Sequence, residues 1–114
     1  MPRYVILEHD HPYLHWDLML EADDVLQTWR LDMPPREAGC AIDATELADH
    51  RQAYLDYEGP VSGDRGMVRR WDAGVFEEEA ESVPNLRRLF LHGTRINIRI
   101  VLERVGGASW RLTA

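Results

Sequence analysis

The sequence predicts a mostly β fold, a compact antiparallel β-barrel of about seven or eight strands with little helix. Apolar residues recur with a period of two in several short segments. Turn formers interrupt those segments about every ten residues, and long amphipathic helical stretches are absent. Closing such a sheet on itself is the economical way for a short chain to avoid exposed edges.

The first strand is expected from Tyr4 to Glu8 and the second from about Leu14 to Ala22. Asp23 and Asp24 join it, as a hairpin, to a third from Val25 to about Leu31. Met33 to Gly39 holds two prolines and a glycine and reads as a loop, after which Ala41 to Leu47 forms another short strand. Met67 to Trp71 and Val75 to Phe76 flank Asp72-Ala73-Gly74, which reads as the turn of a second hairpin, and the acidic stretch Glu77 to Asn85 reads as a loop. In Arg95 to Glu103 the aliphatics Ile96, Ile98, Ile100 and Leu102 alternate with polar residues, so they should point into the core. Gly106-Gly107 then turns the chain into a closing strand at Trp110 to Leu112.

At 114 residues the chain fits one domain, 1–114, with a single core. With 45% hydrophobic and 29% charged residues, it is too apolar to be a disordered acidic chain. No run approaches the roughly 18 apolar residues of a membrane span. The start MPRYVILEHD passes quickly into charges and leaves no room for a signal peptide, so cytoplasmic residence and no membrane contact are expected. The lone Cys40 has no cysteine to pair with, which fits a reducing compartment.

The formal net charge of −7 argues against broad duplex binding, which calls for a basic surface. It leaves open the capture of one strand end or one phosphorylated molecule, because a metal ion and a few local cations can hold a single phosphate. The arginines cluster, at Arg65, Arg69 and Arg70, Arg87 and Arg88, and Arg95 and Arg99, which is the usual pattern of a solvated surface and alternatively a set of phosphate-facing cations.

The densest chemical signal is His9-Asp10-His11-Pro12-Tyr13-Leu14-His15-Trp16-Asp17, three imidazoles and two carboxylates within nine residues. In an extended segment His15, Asp17 and Met19 share one face, with Leu14, Trp16, Leu18 and Leu20 on the other. His9, at the end of the preceding strand, can approach the same point. Two imidazoles and one carboxylate with open positions suit a catalytic divalent ion such as manganese or zinc. The plainer alternative is a set of surface histidines in a polar loop, with His11 the first to fit it.

A second group, Asp49-His50-Arg51-Gln52-Ala53-Tyr54 followed by Tyr57-Glu58-Gly59, offers an imidazole and a phenol that can donate to a phosphate oxygen. A core-edge tyrosine beside a satisfied histidine is its structural alternative. His92, without a titratable neighbour in sequence, reads as structural or exposed.

Together these groups resemble the 3′-phosphoesterase domain of bacterial ligase D, whose first motif reads H-D-x-x-x-L-H-x-D-x-x-L-E. The same pattern stands here as His9, Asp10, Leu14, His15, Asp17, Leu20 and Glu21. The likeness continues through Val25-Leu26, Trp29, Asp49-His50, Tyr54, Glu58-Gly59, Trp71-Asp72, Gly74, Phe76, the stretch ending in His92-Gly93, and Trp110 with Leu112, essentially the whole chain. The resemblance implies a compact β-barrel with a concave active site that removes a 3′-phosphate or 3′-terminal ribonucleotide from a primer strand in DNA repair. It implies a divalent metal, manganese foremost with zinc or cobalt as alternatives, held by His9, His15 and Asp17. His50 and Tyr54 would contact the scissile phosphate, and Asp10, Glu21 and Glu58 would orient the ligands.

The sequence departs from the family at positive positions. Met19 stands where the family places an arginine two residues after the metal-binding aspartate, Tyr13 stands where it has another arginine, and its lysine near the Pro-Gly loop is replaced around Met33. A thioether cannot clamp phosphate oxygens. Either another arginine, such as Arg30, Arg51 or Arg69, reaches the pocket, or phosphatase activity is weakened. Two further readings follow: a non-catalytic metal-binding barrel that serves ligase or polymerase subunits as a partner module, and a cupin-like enzyme in which His11 is a ligand and His50 is dispensable.

Overall fold

The computed structural model describes residues 1–36 and 39–114. Among the described residues nine strands follow in chain order: β1 (Arg3–His9), β2 (His15–Ala22), β3 (Val25–Leu31), β4 (Ala41–Arg51), β5 (Gly59–Pro60), β6 (Met67–Glu78), β7 (Leu86–Gly93), β8 (Asn97–Gly106) and β9 (Ser109–Thr113). One turn of 3-10 helix, Gln52–Leu55, separates β4 from β5. The neighbours run β1-β2-β3-β4-β9-β8-β7-β6, and β6 pairs back onto β1, so eight antiparallel strands close into the expected barrel. The two-residue β5 lies outside this ring, against the start of β6. Among the described residues no helix is long and apolar enough to cross a membrane.

Two apolar clusters divide the molecule. Tyr4, Ile6, Leu18, Leu20, Trp29, Leu31, Leu91, Ile100, Leu102 and Leu112 fill the barrel interior from alternating positions. Val5, Leu7, Met19, Leu26 and Val68 point outward from the same strands, and Leu55, Tyr54 and Val61 from the β4–β6 connection cover them. One stretch of outer wall is therefore roofed, and the roof makes the walls of the site described below.

Several boundaries differ from expectation for identifiable reasons. Asp72-Ala73-Gly74 is no hairpin turn, because β6 runs unbroken from Met67 to Glu78 along β1. Leu7 pairs with Arg70 and Ile6 with Asp72, so Trp71 is the extra residue of a β-bulge that turns Asp72 inward. Gly74 is required there because a Cβ would strike the His92 carbonyl of β7. Leu14 lies outside β2 and is exposed, so the packed face of that strand begins after it. Strand β4 continues past Leu47 to Arg51, β6 takes two residues from the predicted acidic loop, and Leu86–Gly93 is a full strand. The predicted loop Met33 to Gly39 carries no strand where it is described; residues 37 and 38 lie outside the described residues. Of the four aliphatics expected inside from Arg95 onward, Ile100 and Leu102 are fully buried, Ile96 nearly so, and Ile98 packs at the edge of the cluster.

Asp72 closes the interior at one end. It is buried and accepts three hydrogen bonds, from Tyr4 Oη (2.6 Å), the Arg95 amide (2.8 Å) and the Ile96 amide (3.4 Å).

Candidate metal centre and phosphate cavity

On the outer wall His9 and His15 are cross-strand partners, and Asp17 follows two residues along β2, so all three project on the same side as Met19. His15 is fully buried and Asp17 nearly so. His15 Nε2 stands 3.3 Å and His9 Nδ1 3.7 Å from Asp17 Oδ2, and one ligand atom from each residue lies within 4.8 Å of the others.

The remaining ring nitrogens fix the tautomers. His15 Nδ1 is 2.8 Å from the Tyr13 carbonyl and His9 Nε2 is 2.8 Å from the Arg65 carbonyl. A carbonyl only accepts, so each of those nitrogens carries a proton and the inward nitrogen is the one that can offer a lone pair to a cation. Both inward nitrogens turn toward the Asp17 carboxylate, with His15 Nε2 within hydrogen-bond reach of Oδ2 at 3.3 Å, and Asp17 Oδ1 is buried with no hydrogen-bond partner. Such a set of acceptors is costly unless a cation sits among them. Imidazoles oriented through their outer N–H groups, with one carboxylate, are the donor set of a divalent transition-metal site with open positions. The residues present fit that group.

His9 and Asp17 of the cluster form one side of a cavity of ≈ 240 Å³ whose other walls include Met19, Arg30, His50, Tyr54 and Arg65, while His15 lies buried behind them. His50 reaches it through a second bulge. Leu26 pairs with His50 but Thr28 pairs with Leu47, so Ala48 and Asp49 face a single residue and His50 returns to the outer side. His50 Nδ1 donates to the Ala48 carbonyl at 2.9 Å, which leaves Nε2 free, and the ring stands edge-on to Tyr54 at 5.7 Å.

Of the three arginines considered as phosphate ligands, Arg30 lines this cavity. Arg51 lines an adjoining one, and Arg69, opposite Glu8 of β1, lines a third with Glu8 and Asp10. Arg30 stands directly across from Asp17, while Met19 faces Thr28 and packs among Val5, Leu7 and Leu26 as the apolar floor. The Arg30 guanidinium lies over the Tyr13 ring, 5.5 Å from its centroid. Its one hydrogen bond is a long one to Tyr13 Oη (3.4 Å), and its buried Nε has no partner.

The expected ligand-orienting carboxylates act elsewhere. Asp10 Oδ1 accepts the Met67 amide, Glu21 accepts the Arg3 amide and Gln52 Nε2, and Glu58 accepts the Arg70 amide. Main-chain carbonyls orient the imidazoles instead. Asp10 contributes indirectly by pinning the end of the 61–66 loop that presents the Arg65 carbonyl. Sequence reading weighed Arg65 only as one of the clustered arginines and missed the role of its carbonyl; the signals that could have found it are Gly63 and Gly66, both at positive φ, which force that loop to fold back. His11 lines the cavity but is outside the three-residue cluster. His92 is engaged with Glu77, Nε2 to Oε2 at 2.8 Å.

A larger cavity of ≈ 450 Å³ borders Trp29 and Trp110. Its cations are already neutralised: Arg87 makes a two-pronged pair with Glu78 at 2.8 Å and holds the Glu78 carboxyl below its usual range, and Arg104 pairs with Glu46 at 3.1 Å.

The fold and site define a closed β-barrel with a two-histidine, one-aspartate cluster on its outer wall, set beside an imidazole, a phenol and a guanidinium that line one cavity. The DNA ligase D 3′-phosphoesterase domain family matches residues 7–104, and the chain belongs to that family. It is 33% identical over 115 aligned residues to the multifunctional non-homologous end joining DNA repair protein LigD of Mycobacterium tuberculosis, covering 94% of this chain and 15% of that protein. Identity to LigD of Mycolicibacterium smegmatis is 30%, over 95% of this chain and 16% of that one. To LigD of Pseudomonas aeruginosa it is 32%, over 65% of this chain and 9% of the relative. The chain thus spans about a sixth or less of the length of these relatives.

Proposed function

We propose that this chain is a metal-dependent phosphoesterase that removes a 3′-phosphate or a 3′-terminal ribonucleotide from primer strands in DNA repair, acting in the cytoplasm on DNA ends. The observation that carries the reading is the convergence of ligand atoms from His9, His15 and Asp17, two of which line one cavity with His50 and Tyr54. His9, His15 and Asp17 would hold a divalent ion, manganese before zinc or cobalt. Such an ion supplies polarisation of a phosphoryl oxygen or ionisation of a bound water.

The chain's own residues do the rest. With Nδ1–H held by the Ala48 carbonyl, His50 exchanges its proton at Nε2, where it stabilises or protonates the departing alkoxide. Tyr54 donates its hydroxyl to a phosphate oxygen, and the edge-on contact with His50 keeps both groups aimed at one side of the cavity. Arg30 supplies the guanidinium clamp from β3, in place of a cation on β2. Asp10 holds the loop that fixes the His9 tautomer.

The test is incubation of the purified protein with manganese and a primer–template ending in a 3′-phosphate or one ribonucleotide, beside His15→Ala and His50→Ala. Release that both substitutions abolish is the expected result. No release by a folded, metal-loaded protein would instead support a non-catalytic barrel that partners ligase or polymerase subunits, the reading favoured by Met19 lying in the apolar floor.

The clamp assignment has its own test. Met19 and Arg30 are diagonal neighbours on one face, about 7 Å apart. Arg30→Gln should lower kcat/KM by about 10- to 100-fold, the scale of one lost charge-assisted contact to a phosphate. Adding Met19→Arg to that variant should restore a measurable part of the loss; failure to restore any would assign Arg30 to packing against Tyr13.

A further inference from the structure

Next to the metal-side cavity lies a second of ≈ 220 Å³, bounded by Arg51, Tyr54, Tyr57 and Ser62. The two share Tyr54 and Val61 as a common wall. We propose that this second cavity holds the base of the nucleotide immediately upstream of the 3′-phosphate, stacked on Tyr57 with its backbone beside Arg51; the proposal rests on the phosphoesterase reading.

Three observations carry it. Among the described residues no carboxylate lines this cavity, although the chain has a formal net charge of −7, so this part of the surface does not repel a polyanion. Arg51 has no ion-pair partner among the described residues, which leaves its charge available to a phosphodiester.

The Tyr57 ring is held in place before any ligand arrives. Its hydroxyl donates to the Pro60 carbonyl, Tyr54 packs against it edge-on at 5.9 Å, and Gly59, at φ 138°, lies so close that a Cβ there would come within 3.2 Å of Tyr57 Oη. With 37% of the residue exposed, the fixed ring leaves surface for stacking with little ordering cost.

A peptide would need paired acceptors and donors along an extended edge. This cavity offers an aromatic surface, one hydroxyl from Ser62 and one cation instead, the set that receives a base and its backbone irrespective of sequence. A strand leaving the phosphate site past Tyr54 would enter it directly. Because stacking requires only a π-face, all four bases should be accepted.

The experiment compares a 3′-phosphorylated trinucleotide with its counterpart lacking the base on the terminal nucleoside. Phosphate release in manganese gives KM and kcat, and fluorescence anisotropy of the labelled trinucleotide on His50→Ala protein gives affinity without turnover. Tyr57→Leu should raise KM and Kd for the intact trinucleotide by about tenfold or more, with kcat little changed and the base-lacking substrate unaffected. Tyr57→Phe, which keeps the ring, should bind within a few-fold of the parent. Arg51→Ala should weaken both substrates alike and reduce the salt dependence of binding by about one counterion. A Tyr57→Leu protein with an unchanged melting temperature that binds and cleaves the intact trinucleotide like the parent would overturn the subsite alone. Failure of the parent protein to bind any 3′-phosphorylated oligonucleotide would overturn the phosphoesterase reading, and the subsite with it.

Discussion

Asp17→Asn is expected to lower manganese affinity by at least about 100-fold and to reduce phosphate release by a comparable factor or more, while the metal-free protein becomes no less stable. The carboxylate is the only anion among the three converging groups, so its loss removes the charge that holds a divalent ion while both imidazoles remain. In the metal-free protein that same carboxylate stands 3.3 and 3.7 Å from the inward ring nitrogens of His15 and His9, and its Oδ1 has no partner. An amide in its place can donate to one of the ring nitrogens and relieve the convergence of acceptors. Thermal melts separate the two effects. Manganese at 100 times its dissociation constant should stabilise the parent protein by about 2.7 kcal/mol, about 10 °C for a domain of this size, and should leave the variant's midpoint unmoved. A parent midpoint indifferent to manganese, zinc and cobalt would remove the metal from the reading altogether.

The convergence of His9, His15 and Asp17 was legible because it depends on strand periodicity alone. His15 and Asp17 share a face wherever residues 15–20 are extended, and a hairpin with a short loop brings His9 opposite His15. The β2–β3 hairpin was equally local, since Asp23, which takes φ 56°, and Asp24 occupy the turn and set both strand ends. What stayed hidden depends on partners distant in sequence. Asp72-Ala73-Gly74 has the composition of a turn, yet it is held straight by pairing with β1 on one side and β7 on the other, and the same residue types serve a bulge. The bulge at Ala48-Asp49 has no signature of its own, although it decides on which side of β4 His50 emerges. The groups that orient the imidazoles are main-chain carbonyls of Tyr13 and Arg65, which every residue possesses and no motif announces. For that reason the sequence pointed to the carboxylates Asp10, Glu21 and Glu58, whose hydrogen bonds run to other partners, and it offered Arg65 only as a clustered cation.

Asp72→Ala is expected to destabilise the barrel by about 3 kcal/mol or more without touching the metal centre. The substitution strips partners from the Arg95 and Ile96 amides and from the Tyr4 hydroxyl, and all three lie at or in the apolar interior. Gly93→Ala should act through the same cluster, because its Cβ would occupy the space of the Asp72 carboxylate and the Tyr4 hydroxyl. The two substitutions should therefore be clearly non-additive in a urea double-mutant cycle. The cluster also has a pH signature. Burial, reinforced by the hydrogen bond to Asp72, pushes the Tyr4 phenol well above its ordinary value. The folded state thus retains a proton that the unfolded chain releases near pH 10. The stabilisation is complete below about pH 10 and is lost as pH rises beyond it. Urea midpoints measured at pH 8 and pH 10.5 should fall more steeply for the parent than for Tyr4→Phe, and parallel slopes would mean that Tyr4 ionises as freely in the barrel as in water. Manganese affinity at neutral pH should be the same in all of these variants below their melting temperatures, because Asp72 faces the interior while His9, His15 and Asp17 face the outer wall.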